Sequence, residues 1–132
     1  MIKKAFTLLE LLVVIGIIAI LVALGTTSYS TAQKKSRDAK RKSDLKAIQN
    51  ALEQYYSICS YVYPTPAAGY VPSSIICNNP YTVIMSSTPK DPKTGVSYKM
   101  TQNTSGDYTI CAPNTPPLET ESVSSYCLTN QQ

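Results

Sequence analysis

The sequence predicts an α+β protein: one long amino-terminal helix, apolar in its first half and amphipathic in its second, packed against a small antiparallel β-sheet head. Three observations carry that expectation. No charge occurs between Leu11 and Gln33, and residues 11–24 form an unbroken apolar run. No proline interrupts residues 6–56, so nothing in that stretch removes a helical N–H. Beyond residue 54 the chain turns rich in Tyr, Pro, Ser and Thr and holds all 4 cysteines. At 132 residues the chain has room for one domain.

The composition excludes much chemistry. With no His there is no imidazole base, no Ser-His dyad and no histidine metal site. The 8 carboxylates fall in no paired motif, and no glycine-rich phosphate loop appears. No enzyme, cofactor or metal site is expected. The net charge of +4 is local. Lys34, Lys35, Arg37, Lys40, Arg41, Lys42 and Lys46 cluster within residues 34–54, while residues 55–132 are slightly acidic. A basic run on one helix reads first as a solvated face that meets lipid headgroups. Nucleic-acid binding is disfavoured, because no aromatic residues interleave for stacking.

The first element is the apolar run Leu11-Leu12-Val13-Val14-Ile15-Gly16-Ile17-Ile18-Ala19-Ile20-Leu21-Val22-Ala23-Leu24. From Phe6 to Leu24 a helix rises roughly 29 Å at ~1.5 Å per residue, enough for the ~30 Å hydrocarbon layer. Lys3-Lys4 ahead of such a run is the pattern of a membrane-targeting segment. Three readings fit it: a signal peptide cut after Ala23-Leu24-Gly25, a plain signal anchor, or a prepilin leader. Glu10 separates them. A carboxylate within an apolar span costs about 2.5–3.5 kcal/mol near the bilayer centre, a cost for which an ordinary signal sequence has no use.

The second half of the helix follows from periodicity. Leu45, Ile48, Leu52 and Tyr55 form one stripe, and Lys42, Lys46, Gln49 and Glu53 lie on another face. Asp38 is spaced to pair with Lys34 and Lys42. Gly25-Thr26-Thr27-Ser28 is where the helix is expected to bend or locally melt.

In the remainder, Val96–Thr101 alternates as a half-buried strand, and Asp107–Ala112 follows with Tyr108, Ile110 and Ala112 in phase. Residues 103–106 form the loop between them, and Asn103-Thr104-Ser105 also fits an N-glycosylation acceptor. A third strand is expected near Val123–Leu128, with Tyr126 and Leu128 inward. The Pro-rich segments 61–72 and 113–117 read as loops. Cys59, Cys77, Cys111 and Cys127 lack Cys-x-x-Cys spacing, which disfavours zinc. In an exported domain they suggest two disulfides, with three connectivities open. Cys111 and Cys127 sit out of phase with the apolar positions of their strands, favouring Cys111–Cys127 and leaving Cys59–Cys77.

Two stretches resemble a known family. Lys3-Lys4-Ala5-Phe6-Thr7-Leu8-Leu9-Glu10 and the apolar run after it resemble the prepilin motif of type IV pilins and pseudopilins. Arg37–Tyr56 with Tyr63-Pro64-Thr65, and Pro89-Lys90-Asp91-Pro92 ahead of Tyr98, are similar to the major pseudopilins of type II secretion. The resemblance implies cleavage by a prepilin peptidase between Ala5 and Phe6, with N-methylation of Phe6. Ala5 stands where the family usually has Gly. It further implies that Glu10 sets subunit register by meeting the α-amino group of a neighbouring Phe6, and that the chain leaves the cytoplasmic membrane to join a homo-oligomeric filament. An assembly ATPase and platform proteins would drive that step. The family's calcium loop has no counterpart, since Glu119 and Glu121 are too few and too close.

The expected organisation is a leader at 1–5, a transmembrane and filament-core helix at 6–28, an amphipathic helix at 29–57 and a disulfide-stapled, extracytoplasmic head at 58–132. Counting Lys and Arg on the two flanks of the span points to the opposite topology, because the distal flank is the more basic. The motif and the cysteines override that count. The competing function is a secreted or membrane-anchored binding domain that does not polymerise.

Overall fold

The computed structural model describes residues 6–103, 106–112, 118–120 and 125–131, with backbone alone at 26 and 27. Ala5 of the expected cleavage site, Thr104 and Ser105 of the glycosylation motif, the segment 113–117, Glu121 and Val123 lie outside the described residues. The chain forms two compact units, Met1–Lys34 and Lys35–Gln132.

In the first unit, helix α1 (Leu8–Ile58) begins behind an N-cap. The Glu10 N–H donates to Thr7 Oγ1 at 3.2 Å, and the Leu11 N–H donates to the Thr7 carbonyl at 3.3 Å. Thr7 thus satisfies donors that a helix start leaves without partners. The large apolar side chains from Leu8 to Leu24 are exposed around the whole circumference, so nothing in this unit covers them. The local melting expected at Gly25–Ser28 does not occur: the backbone stays helical there. Propensity alone costs only about 1 kcal/mol at a glycine, which the flanking helix absorbs.

In the second unit, α1 presents Leu45, Ile48, Ala51 and Leu52 to the core, spaced to share one stripe. Among the described residues five strands cover it. β1 (Ile75–Asn78) and β2 (Tyr81–Met85) form an antiparallel hairpin with a register irregularity at Ile75/Ile76. β3 (Lys99–Gln102), β4 (Tyr108–Cys111) and β5 (Cys127–Thr129) form an antiparallel sheet in the order β3-β4-β5. Ile75, Tyr98, Met100, Tyr108 and Ile110 pack with the helical stripe, all essentially without solvent exposure. Each such side chain contributes about 1.5–3 kcal/mol by leaving water.

The strands differ from expectation in three respects. Among the described residues the head holds two sheets rather than one, because residues 75–85 make a hairpin of their own. The strand expected from Val96 starts at Lys99, and Val96 is 44% exposed. Its backbone is already committed to a loop, where its carbonyl accepts the Asp91 N–H at 3.0 Å. The third strand begins at Cys127, while Tyr126 and Leu128 do pack against the core.

The helix ends without a glycine. The Tyr61 N–H donates back to the Tyr56 carbonyl at 3.1 Å, which requires left-handed backbone at Ser60 (φ 58°) and Tyr61 (φ 59°). Cys59 and Cys77 are bonded, tying this helix end to β1. Cys111 and Cys127, directly opposite one another in the β4–β5 register, form the second disulfide.

Candidate functional site

The candidate site is the start of α1. Phe6 is 76% exposed and Glu10 is exposed in the first helical turn, where the helix dipole favours a negative charge. Among the described residues no cation meets the Glu10 carboxylate, and it is flanked in sequence by the exposed apolar residues Leu8, Leu9, Leu11 and Leu12. A lone carboxylate in an apolar collar makes no sense in hydrocarbon without a partner from elsewhere. From Leu8 the helix is long and apolar enough to cross a membrane. Thr7-x-x-Glu10 also reads as the first half of a capping box, a signal legible in the sequence.

The basic run that follows is not a plain solvated face. Asp38, Arg41 and Asp44 are buried. Arg41 Nε donates to Asp91 Oδ2 at 2.5 Å, and Arg41 Nη1 donates to Asp38 Oδ1 at 2.7 Å. Arg37 grips Glu119 with two hydrogen bonds of 2.7 Å, and Lys93 reaches the same carboxylate at 3.4 Å. Asp38 does not pair with Lys34 or Lys42 as its spacing suggested. It accepts instead from Arg41, the backbone N–H groups of Glu119 and Thr120, and the Thr120 hydroxyl. Lys42 lies over the Tyr126 ring, 5.3 Å from its centroid, and Lys40 pairs with Asp44 at 2.7 Å. Three carboxylates converge here, but the guanidinium of Arg41 already sits among them, and no described group of residues has the arrangement to hold a metal ion.

The protonation states follow from these contacts. Burial pushes the Asp91 carboxyl up, but the Arg41 guanidinium and the N–H groups of Thr94 and Lys93 outweigh it and hold the group at about 2. The Arg37 hydrogen bonds hold Glu119 at about 2 as well. Burial also opposes ionisation of Asp38, yet its donors from Thr120, Glu119 and Arg41 bring it below the usual carboxylate range. This network fastens the connection after β2 and the 118–120 segment to residues 37–41 of α1.

A capped, fully exposed apolar helix carrying one early carboxylate, followed by a head stapled to its polar half, is a pilin-like α+β fold. Residues 1–26 match the prokaryotic N-terminal methylation motif family. Over 67 residues the chain is 37% identical to the type II secretion system core protein G of Escherichia coli (strain K12), covering 51% of this chain and 46% of that protein. Over 55 residues it is 35% identical to the type IV major pilin protein PilA of Myxococcus xanthus (strain DK1622), covering 42% of this chain and 25% of that protein. No solved structure matches the chain. The motif at residues 1–26 and these partial matches make the chain similar to type IV pilins and type II secretion pseudopilins. The matched region spans less than half the length of either relative.

Proposed function

We propose that the chain is a structural subunit of a type IV pilus or of a type II secretion-like pseudopilus, and that it polymerises through its amino-terminal helix. The single observation that carries this reading is the apolar surface of α1 from Leu8 to Leu24, exposed on every side and interrupted only by the Glu10 carboxylate. Such a surface is stable in hydrocarbon or against other copies of itself, and in water it is not. A prepilin peptidase would cut between Ala5 and Phe6 and methylate the new amine of Phe6. That amine would then meet Glu10 of an adjacent copy, so that only the correct register leaves no unpaired charge. Residues 1–5 would be the leader, 6–28 the filament core, 29–57 the amphipathic connection and 58–132 the extracytoplasmic head. Assembly would draw on a separate ATPase and platform proteins, and the chain itself would catalyse nothing.

Intact mass of the chain from membrane and sheared-surface fractions tests this. A chain beginning at Phe6 with one added methyl supports the reading. A chain beginning at Thr26 overturns it, because the polymerising helix has then been removed. Glu10→Ala should abolish filaments while leaving the head folded. Normal filaments from that variant would remove Glu10 from the mechanism and favour a different source of register.

A further inference from the structure

The head carries a cleft that the filament reading does not use. It has a volume of about 410 Å³ and lies at the end of α1, lined by Tyr56, Tyr61, Val62, Tyr63, Asp107 and Asn130. That size falls within the range of small-molecule sites. Its aromatic wall is built rather than incidental. Tyr56 stacks on Tyr63 with centroids 4.7 Å apart, and Tyr61 meets Tyr56 edge-on at 5.6 Å. Tyr61 nevertheless remains 73% exposed, on left-handed backbone that favours glycine. A glycine would make the same helix end at lower cost, so the ring at this position calls for another reason.

The electrostatics of the cleft have one sign. Asp107 holds its carboxylate in place by accepting from Asn103 Nδ2 and Asn130 Nδ2, each at 3.0 Å. Glu53 lies behind the aromatic wall, accepting from the hydroxyls of Tyr63 (2.9 Å) and Tyr108 (2.8 Å) and from the Gln131 N–H (3.1 Å). Neither carboxylate forms an ion pair with a Lys or Arg among the described residues. The Tyr63 hydroxyl is pushed above its ordinary range by burial first, then by Glu53 and Asp107, the response of a group in a negative potential. Elsewhere in the head the acids Asp38, Asp44, Asp91 and Glu119 are all paired with bases. The contrast singles out this corner.

Aromatic faces beside fixed, unneutralised carboxylates attract organic cations, through the ring quadrupoles and through direct charge. From this geometry we infer that the Tyr56–Tyr61–Asp107 cleft binds an alkylammonium group. The group could be a quaternary ammonium of the choline type or a lysine ε-ammonium, which share charge and an apolar body. An anionic ligand is not favoured, since no cationic side chain among the described residues lines the cleft. This inference does not depend on whether the chain polymerises.

The test uses the full chain with its disulfides intact in maltoside micelles, following backbone amide shifts of Tyr61, Gly106 and Asp107. Three probes are titrated: choline, its neutral isostere 3,3-dimethylbutan-1-ol, and N-acetyl-lysine methylamide. Choline or the lysine derivative should shift these amides at concentrations about tenfold below any effect of the neutral alcohol. Whichever cation binds more tightly identifies the source. Tyr61→Gly should retain the fold, because the backbone there already suits glycine, and should weaken cation binding by about tenfold. Asp107→Asn should weaken it similarly, and Tyr61→Phe should preserve it. Equal binding of choline and the neutral alcohol, an absence of shifts with either cation, or unchanged affinity in folded Tyr61→Gly overturns the inference.

Discussion

Arg41 and Asp91 sit 50 residues apart in sequence, yet Nε of one donates to Oδ2 of the other at 2.5 Å with both side chains sealed from solvent. This pair joins the amphipathic part of α1 to the connection between β2 and β3. Asp91 does more than neutralise the arginine: its Oδ1 also accepts the N–H groups of Lys93 and Thr94 and the Thr94 hydroxyl. One carboxylate therefore shapes its own loop and fixes that loop to the helix. The Pro89–Pro92 segment owes its position to this residue as much as to its prolines.

Arg41→Ala should destabilise the head by roughly 3–5 kcal/mol, because it strands Asp38 and Asp91 without their shared cation. Arg41→Lys should rescue little of this, since an ammonium cannot span both carboxylates with a planar fork. Chemical denaturation of the oxidised protein followed by circular dichroism reads the effect. A loss below about 1 kcal/mol for Arg41→Ala would show that the network is solvated and contributes no more than a surface pair.

The same network predicts an acid limit. Asp91 and Glu119 are held at about 2 and Asp38 is also lowered, whereas unfolded carboxylates titrate near 4. Groups with depressed folded values stabilise the protein above the unfolded value, and that stability drains away as pH falls through the folded one. The denaturation midpoint should hold steady down to about pH 5 and then fall between about pH 4 and pH 2. Asp91→Asn, already weaker at neutral pH, should show a shallower acid slope.

How much of this was legible in the sequence depends on what kind of residue carried the pattern. The long helix, the Leu45/Ile48/Leu52 stripe and the β4 alternation Tyr108/Ile110/Ala112 were readable, because apolar periodicity reports directly on burial. The same stripe extends upward through Arg41 and Asp38 at the same spacing, but charged residues there read as solvated. Their partners, Asp91 and Glu119, are separated by 50 and 78 residues from Arg41, and no local pattern links them. The β1–β2 hairpin is signalled only weakly, by Ile75-Ile76 and Val83-Ile84 flanking an Asn78-Asn79-Pro80 turn. At the candidate site, Glu10 stood out by its chemistry, while its backbone bond to Thr7 was available from spacing and went unread. The Tyr61–Asp107 cleft joins two segments that only the fold brings together.

Three tyrosines predict an alkaline limit of the opposite sign. Tyr98 and Tyr108 are raised first by burial and then by hydrogen bonds they donate to Asp44 and Glu53, and Tyr63 is raised in the same way. A raised folded value stabilises below the unfolded value, near 10, and that stability is lost as pH rises beyond it. In the folded protein Tyr63, Tyr98 and Tyr108 should therefore contribute no phenolate absorbance near pH 10. The buried three should ionise together with unfolding. Ionisation of Tyr63, Tyr98 and Tyr108 near pH 10 with the fold intact would contradict the burial described here.

The two disulfides make separable contributions. Each closes a loop of similar length, 18 residues for Cys59–Cys77 and 16 for Cys111–Cys127, so loop entropy alone would make each worth about 3 kcal/mol. Their surroundings differ. Cys77 is fully buried beside the core strand residue Ile75, whereas Cys127 is exposed on the last strand of its sheet. Replacing Cys59 and Cys77 by serine puts a hydroxyl at a buried position as well as opening the loop, so the loss should exceed that from the Cys111/Cys127 double serine variant. Replacing the first pair by alanine should narrow that difference. Equal losses from the two serine pairs would mean that chain entropy, and not burial at Cys77, governs the head.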